Sequence, residues 1–141
     1  MSPAFRLLPH TADAAFEATA PSWEGLLAEA TRALGEVLLA DDGSPPDCEL
    51  PVEVTGADRE DLLVAWLGAA LLGYEQHGRV PRGARLATLD PTRLGGVVLA
   101  RQTDPRRQPP DRVVKAVTYH ALAVEPGEAT RPWRAVVVLD L

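Results

Sequence analysis

An α+β fold, with helices and β-structure as two packed layers, is predicted by three observations. Two stretches with apolar residues at helical spacing lie before Gly78. Strand-like stretches follow one another through the remainder, with no helices between them. No strand–helix alternation of the kind that builds a doubly wound parallel sheet runs through the chain. The length, 141 residues, suits one domain with its own core, so residues 1–141 read as a single domain.

The predicted element order is ββαβαββββ. Residues 4–8, AFRLL, are short and apolar enough for a strand, and the polar PHTAD interrupts it. AAFEATA then alternates, with Phe16 and Ala18 on one face and Ala15, Glu17 and Thr19 on the other, which predicts a hairpin. Ser22 is a good N-cap, because its hydroxyl can accept from a first-turn N–H. Leu27, Ala30, Leu34, Val37 and Leu38 then share one helical face, and Gly43 follows as the expected stop. LPVEVTG reads as a strand with Val52 and Val54 facing the same way. Asp58 is the next N-cap, with Asp61 three positions on as a short capping box. Leu62, Leu63, Trp66, Leu67, Ala70 and Leu71 form the stripe of a second helix ending near Gly78, with Trp66 in the core. The remaining strands are expected at 85–89, 94–101, 113–125 and 133–140.

Composition narrows the function classes. Hydrophobic residues make up 46% and charged residues 24%, as in ordinary globular proteins. No apolar run approaches the roughly 18 residues of a membrane span, and MSPAFRLLPH lacks the basic and apolar regions of a signal peptide. Cys48 is alone, which excludes an internal disulfide and a cysteine-based zinc cluster. The cytoplasm is the expected compartment. A net charge of −6 argues against strong direct nucleic-acid binding, which needs a basic face. The arginines of DPRRQPPDR are mixed with acids and read as a solvated loop. Lys115 is the one lysine among fourteen basic residues, and a compact ammonium is not equivalent to a guanidinium fork.

Common catalytic motifs are missing: there is no GxSxG, GxGxxG, P-loop or HExxH. LGGVV places two glycines in a strand, which predicts a bulge or a close approach. His77 suits a helix C-terminus. Three features remain. HTAD, residues 10–13, carries Asp13 in a polar insertion, where a turn residue bonded to local backbone is the plain reading. KAVTYH, residues 115–120, would place Lys115, Val117 and Tyr119 on one strand face and Ala116, Thr118 and His120 on the other. Its plain reading is a strand whose lysine reaches solvent. WRAVVVLDL runs an apolar strand to Asp140 and Leu141, where a carboxylate and main-chain oxygens can be held in place. If Asp13 lies beside them, the carboxylates repel unless a cation binds, and hard oxygen donors suit Ca²⁺ or Mg²⁺.

Taken jointly, HTAD, the second helix with LLVAWL, KAVTYH and the terminal VVVLDL resemble the archease family, in the same order and over nearly the whole chain. The resemblance implies a two-layer sandwich with a mixed β-sheet and two main helices. It also implies an accessory protein of the RtcB-type RNA ligase, which uses GTP and Mn²⁺ to join 2′,3′-cyclic phosphate or 3′-phosphate ends to 5′-hydroxyls. Archeases promote guanylylation and multiple turnover of that ligase, in tRNA splicing and RNA repair, without being ligases themselves. By the same resemblance a metal, usually calcium, is held by Asp13, Asp140 and Leu141, and Lys115 is the residue that matters for the partner. His10 and His120 are candidates to hydrogen-bond the ligands rather than bind the cation, since calcium seldom takes imidazole. The loop ARQTDPRRQPPDRVV departs from the family in lacking the His and Glu residues expected there.

The expected function is therefore a non-catalytic, calcium-binding activator of an RNA ligase, soluble in the cytoplasm and without membrane contact. Two other classes stay open. One is a small metal-dependent phosphoesterase using Asp13 and Asp140. The other is a chaperone-like modulator of nucleic-acid-processing enzymes.

Overall fold

The computed structural model describes residues 2–8 and 14–141. The predicted order holds throughout: β1 (Ala4–Leu8), β2 (Ala14–Ala20), α1 (Trp23–Leu38), β3 (Cys48–Thr55), α2 (Arg59–His77), β4 (Arg79–Asp90), β5 (Arg93–Gln102), β6 (Ala116–Glu125) and β7 (Trp133–Asp140). The α+β class is as expected. The sheet is not one mixed sheet. The described strands form a four-stranded sheet, β1-β2-β7-β6, and a three-stranded sheet, β3-β5-β4. Every pairing is antiparallel. Short turns explain part of this: β4 returns as β5 through Pro91 and Thr92, and such a tight link permits only antiparallel neighbours.

Each sheet buries one face. In β2, Phe16, Ala18 and Ala20 are fully buried, and they pair with Val137, Ala135 and Trp133 of β7. In the smaller sheet Val52, Leu94, Val98 and Ala100 turn inward. The outer faces carry ion pairs, Glu49 with Arg85 and Glu53 with Arg93 on one sheet and Arg6–Glu17–Arg134 on the other. Both helices reach both sheets: α1 packs on β2 and β4, and α2 on β3 and β6.

The caps are those the sequence predicts. Ser22 Oγ accepts from Gly25 N at 3.0 Å, and Asp58 Oδ1 accepts from Asp61 N at 2.8 Å. Asp61 Oδ2 reaches back to Ala57 N at 3.1 Å, one residue before the cap itself. Gly78 ends α2 in the left-handed region, at φ 69°. Helix α1 stops earlier than Gly43 suggests. Leu39 is already extended, and its N–H closes the last turn on Gly35 O at 2.9 Å.

The buried face of α1 is wider than its apolar stripe, because it includes Thr31, Gly35 and Glu29. Trp66 of α2 is fully buried and donates Nε1–H to Thr31 Oγ1 at 3.1 Å, and the threonine hydroxyl donates to Leu27 O at 2.6 Å. The indole and the hydroxyl are thus both satisfied inside the core. Gly35 faces the backbone of β4, where any Cβ would collide with the Pro81 carbonyl.

Two strand boundaries differ from expectation, and one close approach is as predicted. β4 starts at Arg79 rather than 85, running through Pro81 and Gly83 with register shifts after Pro81 and after Leu86. An edge strand tolerates a proline and bulges that would interrupt a central one, and β4 is an edge. Gly96 is the close approach predicted for LGGVV, since a side chain there would meet the Arg85 carbonyl. β6 starts at Ala116 rather than Val113. The backbone just before it bonds to the end of α1: Asp111 N donates to Leu38 O at 2.7 Å, and Ala40 N donates to Asp111 Oδ2 at 2.9 Å.

Two predictions follow from this packing. Gly35→Ala should lower stability by about 1–3 kcal/mol, as overpacking does, although it improves helix propensity. Gly68→Ala, in open space on α2, should raise stability by roughly 0.5–1 kcal/mol. Urea unfolding of both variants checks the opposite signs. The second concerns Glu17, which Arg134 Nε meets at 2.7 Å and Arg6 Nε at 3.1 Å. Burial pushes its carboxyl up, but the two guanidiniums outweigh burial and leave it below the usual value. A depressed folded-state value stabilises above the unfolded range near about 4.3 and is lost as pH falls through the folded value. Glu17→Gln should flatten the acid limb of stability below about pH 4, read as urea midpoints from neutral to acid pH.

Candidate functional site

The end of β7 brings together three of the residues singled out in the sequence, Lys115, Asp140 and Leu141. β7 lies between β2 and β6, with Leu139 opposite Ala14 and Asp140 opposite Ala116. Leu139 is fully buried, and the side chain of Asp140 emerges into solvent. Leu141 is half-buried and packs on the core, which anchors the main chain on both sides of Asp140. The strand therefore delivers oxygen donors at a defined place rather than on a frayed tail.

Lys115 is held at the same place. Its N–H donates to Asp140 O at 2.7 Å. It precedes β6 instead of lying inside it, so the face it was expected to share with Val117 and Tyr119 is not a continuous strand face. Val114 beside it is buried, which fixes the backbone, while the Lys115 side chain is exposed. Asp111 ties the same segment to the end of α1. A cavity of about 250 Å³ opens beside Asp111 and Arg112, between Leu8 and Ala14 of the hairpin and Glu36 of α1, and neither Lys115 nor Asp140 lines it.

Asp13 and His10 lie outside the described residues, and the structure speaks only for their neighbour: Ala14 pairs with Leu139, one residue from Asp140. Among the described residues no three His, Cys, Asp or Glu side chains converge as a metal site. Asp140 and Leu141 supply oxygen donors only, the chemistry of a hard cation rather than of zinc.

His120 falls elsewhere. Thr118 pairs with Val138 and Ala123 with Val136, so residues 119–122 stand opposite Val137 alone. The period-2 alternation predicted for KAVTYH ends at Thr118. His120 is exposed in this bulge, and its N–H reaches Thr118 Oγ1 at 3.3 Å. Ala121 takes the left-handed conformation, at φ 52°. Tyr119 is 61% exposed, and its hydroxyl donates to Asp61 Oδ1 at 2.9 Å. That bond, with some burial and the nearby charges of Asp61 and Asp58, raises the phenol above its ordinary value. The sequence carries no Gly or Pro to announce the bulge. Burial, and then the neighbouring Asp47, push the Cys48 thiol up, and Sγ–H donates to Ala100 O at 3.4 Å.

The model of the Archease protein family (MTH1598/TM1083) matches residues 5–141. The chain belongs to the archease family. A protein archease of Methanopyrus kandleri is 35% identical over 137 residues, covering 95% of this chain and 96% of that one. A protein archease of Sulfolobus acidocaldarius is 28% identical over 134 residues, covering 94% and 96%. Among solved structures, Methanobacterium thermoautotrophicum protein 1598 is similar at a TM-score of 0.76 and 27% identity, covering 97% of this chain and 98% of its own. A Thermotoga maritima archease, described as a possible chaperone, shares the fold at a TM-score of 0.57 and 24% identity, covering 95% and 94%. These archease structures agree with the α+β arrangement seen here. No described helix is long and apolar enough to cross a membrane.

Proposed function

We propose that this archease-family protein is a non-catalytic activator of an RtcB-type RNA ligase, acting in the cytoplasm in tRNA splicing and RNA repair. The observation that carries the reading is the 2.7 Å bond from Lys115 N–H to Asp140 O. It brings the chain's one lysine to the end of β7. Family membership supports a protein partner, and Lys115 and Asp140, two of the residues that resemble archease motifs, lie side by side here.

In this reading Asp140, the main-chain oxygens of Leu141 and Asp13 hold a calcium ion or another hard divalent cation. The pairing of Ala14 with Leu139 favours including Asp13. A bound cation would relieve carboxylate repulsion and add positive charge beside Lys115. Lys115, exposed on an anchored backbone, is offered to a phosphate or carboxylate of the ligase active centre. Holding one ligase state in this way shifts its population only by the difference in affinity for the two states. Turnover of phosphoesters by the protein alone would favour a phosphoesterase instead. Equal help to unrelated enzymes would favour a general chaperone.

The activator reading is tested by ligase guanylylation at fixed GTP, with protein added in substoichiometric amount. No stimulation by the wild type overturns it. Lys115→Ala should abolish most stimulation and change stability by no more than about 0.5 kcal/mol, as for exposed side chains. Lys115→Arg should retain part of it, since charge is kept and donor geometry changed. Full stimulation by folded Lys115→Ala would return the lysine to a solvated surface residue.

The metal reading has its own check by calorimetry. Asp13→Ala, Asp140→Ala and residues appended after Leu141 should each weaken calcium binding by removing or displacing an oxygen donor. Unchanged affinity in all three would rule out a shared site.

A further inference from the structure

The bulge in β6 raises a mechanical question. Among the described strands β6 is an edge strand of its sheet, with β7 as its neighbour. Its first part, Ala116–Thr118, makes three pairs with Val138–Asp140 and then loses the ladder for four residues. A regular strand passes rigidity from pair to pair. This one cannot do so across residues 119–122. The short segment that follows Lys115 therefore needs support from its far end.

That support comes from the first turn of α2. Tyr119 Oη donates to Asp61 Oδ1 at 2.9 Å, and beyond the bulge Val124 N donates to Glu60 Oε1 at 3.3 Å. Asp61 is itself immobilised. Its N–H is capped by Asp58 at 2.8 Å, and its second oxygen holds Ala57 N at 3.1 Å. Within the segment, Thr118 Oγ1 donates to Val138 O at 3.0 Å. The left-handed backbone at Ala121 turns the chain back toward β7, and a non-glycine residue accepts that conformation only when its surroundings impose it.

We infer that Tyr119 is a positioning residue: anchored on Asp61, it braces the bulge so that Ala116–Thr118 keeps Lys115 hydrogen-bonded against Asp140. The inference deepens the activator reading and rests on it for the functional readout, but the brace itself can be measured without any ligase. The Tyr119 hydroxyl bonds to Asp61 and not to the Lys115 side chain. It acts through the backbone.

The test uses the full chain with Tyr119→Phe, which keeps the ring and deletes the hydroxyl, and with Asp61→Asn, which keeps an acceptor. Native-state amide exchange at Lys115 should quicken about two- to tenfold in Tyr119→Phe, the range of one hydrogen bond's net worth. It should stay near wild type in Asp61→Asn. In a titration of ligase guanylylation, Tyr119→Phe should lower maximal stimulation by a similar factor and leave the half-saturating concentration unchanged. Unaltered Lys115 exchange in Tyr119→Phe overturns the inference whatever the ligase does. Faster exchange with undiminished maximal stimulation overturns the positioning role. A raised half-saturating concentration with an unchanged maximum also overturns it, and would make Tyr119 a direct partner contact. Absence of stimulation by the wild type would count against the activator reading, while the exchange result still decides the brace.

Discussion

The two described sheets share no hydrogen-bonded strand pair, and the helices join them. This constraint governs the molecule. Helix α1 lies on β2 of one sheet and β4 of the other, and it approaches β4 so closely that Gly35 meets the Pro81 carbonyl. Helix α2 does the same between β3 and β6, and the Trp66–Thr31 bond locks the helices to each other. Each fully buried leucine in this layer contributes about 1.5–3 kcal/mol. The hydrogen bonds add less net energy and more specificity, because an unmet indole N–H or threonine hydroxyl in the core would be costly.

The candidate site inherits its geometry from the same helices. The segment before β6 hangs from the end of α1 through Asp111, and the bulge within β6 leans on the start of α2 through Tyr119. Between these supports Lys115 meets Asp140. An exposed lysine would ordinarily carry little positional information, since its side chain is long and its ammonium well hydrated. Here the backbone beneath it is restrained by a buried Val114, by Asp111 and by the terminal strand. A side chain presented on a restrained backbone loses less freedom on docking.

Charge is arranged with similar economy. The outer sheet faces carry paired acids and arginines, and the Arg6–Glu17–Arg134 set spans three strands. The net charge of −6 disfavours RNA as the direct ligand. A protein partner is the more natural counterpart for a surface of this kind, and it is the counterpart the family resemblance implies.

Local chemistry alone determined much of this protein. The order ββαβαββββ follows from hydrophobic period, and the helix starts from Ser22 and Asp58, because a capping side chain acts within three residues of itself. The end of α2 follows from Gly78 for the same reason. Lys115 and Asp140 stand out in the sequence as a lone lysine and a carboxylate closing an apolar strand, and their juxtaposition is a tertiary fact. Tertiary structure decided the rest. Alternation cannot say which strands pair, so two antiparallel sheets replaced one mixed sheet. The start of β4 at Arg79 rather than 85 depends on its place at a sheet edge, where Pro81 is tolerated. KAVTYH reads as a plain strand, because nothing within 119–122 shows that those residues stand opposite Val137 alone. That bulge is maintained by Asp61, fifty-eight residues away in the chain, and long-range partners of this kind leave no period in a sequence.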